Sequence, residues 1–191
     1  LFLFLRGTTV LKPKQREEKV KLHWNLGVMK SFGGAFFLMF SQGVLAYLLP
    51  IYVEDLGFGS RTSGTLMSIF GIVAVLIFVL PTNRIFNVVN SSYTLVFGMT
   101  TLAMSQILIG QSSTMLGLYG VLALYGVGFA FLFPSINTIL IEATTDKTRG
   151  KAYGYFYAFF SFGVVVGAFL LGALNLTGTA GFNFTGLVLL C

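Results

Sequence analysis

Few residues in this chain could do chemistry inside the long uncharged stretches, and they are carboxamides: Gln42, Gln106 and Asn137. Each can donate and accept hydrogen bonds, so in hydrocarbon each needs a partner or a wet cavity. Of the six Asp and Glu residues, none lies inside a long uncharged run. Glu54 and Asp55 fall at one end of such runs, Glu142 and Asp146 at the other. A proton carrier within the membrane needs a titratable group there, and this chain offers none. There is one histidine, His23, and one cysteine, Cys191. No glycine-rich phosphate loop and no cluster of metal-ligand spacing occurs, so nothing points to an enzyme, a cofactor or a metal. A lone cysteine permits no disulfide within the chain.

Around the amides lie aromatic rings, among 21 Phe, 8 Tyr and one Trp. Phe36, Phe37, Phe40 and Tyr47 fall in one stretch; Tyr125, Phe129 and Phe133 in another; Tyr157 and Phe160 in a third. Such rings can face lipid. They can also wall a cavity, and a few amides in an aromatic wall would suit an amphipathic, partly apolar small molecule.

The elements that must position these residues are marked out by charge. The chain is 55% hydrophobic and only 9% charged, against about a quarter charged for a soluble domain. Uncharged stretches of 23, 22, 57 and 40 residues follow Lys30, Arg61, Arg84 and Lys151. About 20 apolar residues cross the hydrocarbon of a bilayer as a helix. Polar, small-residue clusters at 110–114 and 175–181 divide the two longer stretches. The expected helices are therefore 28–53, 62–83, 91–110, 115–141 and 152–174, with a partial one at 182–191. Residues 1–5 read as the tail of a preceding membrane helix and 6–25 as a basic linker. The alternation of a membrane β-strand is absent.

The net charge of +6 does not indicate nucleic acid, because seven of the twelve Lys and Arg residues fall between Arg6 and Lys30 and no basic face could form without burying charge in lipid. Threaded through a bilayer, the loops near 6–30, 84–90 and 142–151 share one side and hold eleven of the twelve basic residues. That side is expected to be cytoplasmic. His23 and Trp24 then lie at the inner interface.

Several motifs occur in order. Leu49-Pro50 through Gly57 is followed by Thr62-Ser63-Gly64, and a degenerate turn at Pro81–Asn87 keeps only Arg84. Pro134-Ser135 precedes Glu142, Arg149-Gly150 and Gly154; Gly163, Gly167 and Gly172 follow. In this order they resemble the major facilitator superfamily, over nearly the whole chain. The resemblance implies an all-α membrane protein, the carboxyl six-helix half of a major facilitator fold, with five complete transmembrane helices and partial ones at both ends. It implies a drug- or metabolite-exporter-like secondary transporter in the cell membrane, proton-coupled and working by alternating access. The alternative is an uptake carrier for a small metabolite in the same superfamily. A receptor or assembly subunit without transport is a third reading.

The resemblance also assigns roles. Gln42, Tyr47, Tyr125, Phe129, Asn137, Tyr157 and Phe160 become candidates for the substrate cavity, with helix–helix hydrogen bonding the other reading of Gln42 and Asn137. Gln106 falls on a peripheral helix and is expected to serve packing. Pro50, Arg84, Pro134, Glu142, Arg149, Gly150, Gly154, Gly163, Gly167 and Gly172 become structural or gating positions. Glu142 and Arg149 are expected to form a loop-shaping ion pair or a helix cap. A stripe of Gly154, Ala158, Ser161, Val165, Ala168 and Gly172, and Gly120, Gly126 and Gly128 in the preceding helix, are expected to bring helices close. Implied partners are the lipid bilayer, a small-molecule substrate and an amino-terminal six-helix half; nucleic acid is not among them.

In a Cys191→Ser background, single cysteines placed at Lys14 and at Lys147 should both react with an impermeant thiol reagent from the cytoplasmic side. One placed at Arg61 should react only from the other side. Modification of the first two from opposite sides would refute the topology.

Overall fold

A computed structural model describes residues 22–59, 61–79 and 90–191. They form six helices: α1 (Leu26–Asp55), α2 (Arg61–Val79), α3 (Ser91–Gln111), α4 (Met115–Glu142), α5 (Asp146–Ala173) and α6 (Gly178–Leu190). There is no strand among the described residues. The first five helices are long and apolar enough to cross a membrane; α6 is shorter. Residues 1–21 and 80–89, which include Arg84 and the expected linker up to residue 21, lie outside the described residues.

Local chemistry sets the helix ends. The Asn25 carboxamide accepts from the Val28 amide at 2.8 Å and donates to the Ala143 carbonyl at 2.9 Å. One side chain thus caps the start of α1 and the end of α4, satisfying orphan backbone groups of both. Asn90 starts α3 by accepting from Ser92, and Thr114 starts α4 by accepting from Gly117. A reciprocal Thr145–Thr148 capping box starts α5 at Asp146, six residues before the expected onset. The α5–α6 turn is also shorter than expected. Asn175 and Gly178 take positive φ, and α6 begins at Gly178 rather than at 182.

Helix α1 is the hub. Its most extensive partner is α5, and it also packs on α4 and α6. Helix α3 lies between α4 and α6, and α2 packs on α4. Helices α4 and α5 barely touch one another.

Glycines sit wherever backbones meet. A Cβ on Gly163 would strike the Phe36 carbonyl oxygen, and one on Gly167 the Phe40 carbonyl oxygen. A Cβ on Gly43 of α1 would strike the Val164 carbonyl oxygen in return. In lipid, where apolar burial drives little, such close approach supplies the dispersion contact that holds helices together. Elsewhere a Cβ on Gly126 would lie 2.7 Å from the Phe70 carbonyl oxygen of α2, and one on Gly128 would lie 3.0 Å from Leu102 of α3. A Cβ on Gly186 of α6 would lie 2.8 Å from the Ala103 carbonyl oxygen.

Of the small-residue stripe expected to pack α5, Ala168 and Gly172 are half-buried, and a Cβ on Gly172 would lie 3.5 Å from the Tyr47 hydroxyl of α1, but the first four members do not pack in this bundle. Gly154, Ala158, Ser161 and Val165 are exposed, and nothing lies within 4 Å of a Cβ at Gly154. The buried face of α5 is Ala152, Phe156, Gly163, Gly167 and Leu171. At about 100° per residue, Ser161 and Val165 lie nearly opposite Gly163. The spacing identified a helix face correctly but not which face meets α1. Gly120 and Gly150 likewise have no neighbour within 4 Å and bring no helices together.

Hydroxyls reinforce the contacts by donating to carbonyls of neighbouring helices. Ser31 donates to the Ile136 carbonyl at 2.8 Å, and Thr179 to the Gly110 carbonyl at 2.6 Å. Tyr52 reaches the carbonyls of Gly110 and Ser112 at 3.2 Å each.

Gly43→Leu should lower the unfolding temperature of the protein in detergent, because a side chain pressed on rigid backbone costs ~1–3 kcal/mol or more. Gly71→Ala, which meets nothing within 4 Å, should leave it unchanged or raise it, by ~0.5–1 kcal/mol of helix propensity. Equal effects of the two substitutions, measured by thermal circular dichroism, would contradict the assigned contact.

Candidate functional site

The aromatic candidates meet across α4 and α5. On α4, Tyr125, Phe129, Phe133 and Asn137 recur every four residues and so share a face. Phe70 of α2 stands edge-on to Tyr125 at 5.4 Å and to Phe129 at 5.5 Å. Phe129 stacks nearly parallel to Phe133 at 5.9 Å. Phe133 then reaches Phe160 of α5 at 6.5 Å, and Phe160 meets Tyr157 at 6.1 Å. Tyr157 continues to Tyr153 at 6.1 Å. The result is one aromatic wall running over three helices, with ring geometries of the favourable edge-to-face and offset kinds.

Amides sit at both ends of the wall. Asn137 donates to the Phe133 carbonyl of its own helix at 2.8 Å, and Tyr153 donates to Asn137 Oδ1 over a long 3.4 Å. At the other end Tyr125, fully buried, donates to Gln42 Oε1 at 3.1 Å. Tyr125 is also 3.0 Å from Ser41 Oγ. Gln106 of α3, fully buried, donates to both the Ser41 carbonyl and Ser41 Oγ, at 3.0 and 2.8 Å. Its packing role, expected from the sequence, is therefore visible as a clasp between α3 and α1. Gln106 Oε1 has no partner among the described residues.

The structure thus draws Gln42, Tyr125, Phe129, Asn137, Tyr157 and Phe160 into one continuous cluster, with Tyr125 fully buried at its base, and leaves Tyr47 apart. Tyr47 is 37% exposed, on a part of α1 where its hydroxyl lies 3.5 Å from a Cβ placed on Gly172. Three members were missed in the sequence. Phe70 and Ser41 carried no motif. Tyr153 was legible as the residue four before Tyr157, one turn away on the same face. Pro134 stands within α4 between Phe133 and Ser135, and Pro50 within α1 near its end. Each removes a helix hydrogen bond at its position.

The expected Glu142–Arg149 pair does not form. Arg149 instead meets Asp146 at 2.9 Å, three residues earlier on the same helix. Because α5 starts at Asp146, that carboxylate is one turn from Arg149, whereas Glu142 is the last residue of α4. Glu142 is exposed and borders a cavity of about 390 Å³ at the basic end, together with Asn25, Lys30, Asn90, Ser91 and Ser92. The exposed Asp146–Arg149 pair contributes little to stability. Trp24 lies at the same end, edge-on to Phe32 at 5.7 Å.

Five helices long and apolar enough to cross a membrane, with an aromatic and amide cluster rather than a catalytic one, define a polytopic α-helical membrane protein. Among the described residues no group of three His, Cys, Asp or Glu side chains could hold a metal ion. The profile of the Major Facilitator Superfamily matches residues 31–191, and the chain belongs to that family, whose members are membrane transporters and not enzymes. It is 26% identical over 132 residues to multidrug resistance protein 1 of Bacillus subtilis (strain 168), covering 69% of this chain and 34% of that protein. It is 26% identical over 125 residues to multidrug resistance protein 2 of the same organism, covering 65% and 31%. The chain therefore spans about a third of the length of the curated relatives it matches.

Ser41→Ala and Gln106→Leu, taken through a double-mutant cycle of unfolding in detergent, should show a coupling of ~0.6–1.7 kcal/mol, the range of hydrogen bonds between membrane helices. Additive effects would mean that the Gln106–Ser41 hydroxyl bond of the clasp does not form.

Proposed function

We propose that this chain forms the carboxyl six-helix half of an efflux transporter for amphipathic small molecules, with the aromatic wall as part of the substrate cavity. The observation that carries this reading is the wall itself: rings from α2, α4 and α5 bordered by Gln42 and Asn137, and no charged side chain among them. A surface of this kind holds apolar, aromatic compounds through dispersion and ring contacts, with a few fixed polar groups to orient them. A carrier for a sugar or an anion would need more polar or charged groups than two amides, so uptake of a small metabolite suits the wall less. The names of the two relatives support efflux.

In this reading a second six-helix bundle faces the wall and completes the cavity. The exposed small residues of α5, from Gly154 to Val165, then meet that partner bundle, where close but smooth contact permits rocking during alternating access. The basic end faces the cytoplasm, and the protein resides in the cell membrane. This chain contributes no carboxylate within a span, so proton coupling draws its acids from the partner bundle.

The test is transport by the full-length protein in vesicles. An imposed proton gradient should drive flux of an amphipathic aromatic dye, and a protonophore should abolish it. Phe133→Ala should raise the apparent KM for the dye roughly two- to tenfold, the equivalent of the ~0.5–1.5 kcal/mol that an aromatic contact is worth. Absence of gradient-dependent flux over a broad panel of such compounds would overturn the reading.

A further inference from the structure

We infer that Gln42 presents its carboxamide NH2, and not its carbonyl, to the substrate side, so that the site selects amphipathic molecules carrying a hydrogen-bond acceptor.

The orientation follows from one atom that can only accept. Gln106 Nε2 lies 3.0 Å from the Ser41 backbone carbonyl, which has no proton to give, so the nitrogen of that amide must point there. Its second proton goes to Ser41 Oγ at 2.8 Å. Ser41 Oγ has no other acceptor for its own proton among its hydrogen-bond contacts, so the arrangement that uses every proton has it donating to Tyr125 Oη at 3.0 Å. Tyr125 in turn gives its proton to the Gln42 side chain at 3.1 Å, and the atom that receives it must be the oxygen Oε1. The polarity of all four groups is therefore set from the α3 end of the chain.

Every proton in this relay of hydrogen bonds points the same way, so each bond strengthens the next. The Gln42 oxygen is occupied, and Gln42 Nε2 makes no hydrogen bond among the described residues. Gln42 itself is half-buried, between Ser41, which faces the clasp, and Gly43, which presses on α5. What it offers at the edge of the aromatic wall is a pair of donors. An incoming carbonyl, ether or sulfonyl oxygen can accept from them. A molecule whose only polar group is a donor finds no acceptor there. Ser41, Tyr125 and Gln106 are positioning residues, acting through Gln42. The ligand class rests on the proposed transport function; the orientation of Gln42 does not.

The experiment uses the full-length protein labelled with 15N-glutamine, the Gln42 side-chain signals being assigned by their loss in Gln42→Leu. Two probes of one aromatic skeleton are added, one with a ketone and one with a methylene in its place. In Tyr125→Phe the Gln42 amide signals should shift more than those of Gln106, which keeps both of its direct bonds to Ser41. The ketone, and not the methylene compound, should shift the Gln42 signals in the unmodified protein. In vesicles the ketone should show a KM roughly three- to tenfold lower than the methylene compound, as one hydrogen bond gives, and Gln42→Leu should bring that ratio to about one.

Gln42 signals unmoved in a folded Tyr125→Phe protein would overturn the relay. Should that variant not fold, the ketone titration of the unmodified protein decides alone: no response of Gln42 while the ketone is transported overturns the assignment. A response of Gln42 without flux of either probe would keep the assignment and sink the transport reading.

Discussion

Hydrocarbon offers no hydrogen bonds, and that single property of the solvent governs this structure. Each spanning segment has to close its own backbone bonds, which makes it a helix. The same solvent removes the usual drive for helices to associate, since a lipid tail is as apolar as a leucine. Association then depends on how closely backbones can approach. Gly43, Gly163 and Gly167 answer that requirement on the α1–α5 seam, where any side chain would strike a carbonyl oxygen. Gly126, Gly128 and Gly186 answer it on the others.

Three successive residues of α1 show how one helix serves several partners. Ser41 points at α3 and α4, Gly43 presses on α5, and Gln42 lies between them. A turn of about 100° per residue separates them. The hub position of α1 thus places a polar side chain on a half-buried sector of the helix, between the face clasped to α3 and α4 and the face pressed on α5. The same clasp that fixes α1 on α3 and α4 also anchors Gln42, so stability and the chemistry of that half-buried amide share one set of bonds.

The aromatic wall has a different physical basis. Helices α4 and α5 have little direct contact, and Phe133 against Phe160 carries the wall across the gap. Both helices are instead held through α1. Rings so supported from behind present faces and edges outward, surfaces that accept many apolar shapes without specific hydrogen bonding.

The spanning helices were legible in the sequence because charge cannot enter lipid. The uncharged runs after Lys30, Arg61 and Lys151 mark α1, α2 and α5, and the polar cluster at 110–114 marks the break between α3 and α4. The sequence placed Tyr125, Phe129, Phe133 and Asn137 in one spanning stretch; their four-residue spacing puts them on one face of α4. Spacing could not say which neighbour that face would meet. It gave the small residues of α5 a packing role that Gly163 and Gly167 perform on the opposite face, and it paired Arg149 with Glu142 where the capping box at Thr145 supplies Asp146 instead. Phe70, Ser41 and Gln106 enter the site only through contacts more than fifty residues apart in the chain. What the sequence alone determined was the helical, membrane-spanning character, because that depends on solvent and local composition. Which faces pair, and which way the Gln42 amide points, only the tertiary structure decided, because those depend on atoms that the chain brings together across helices.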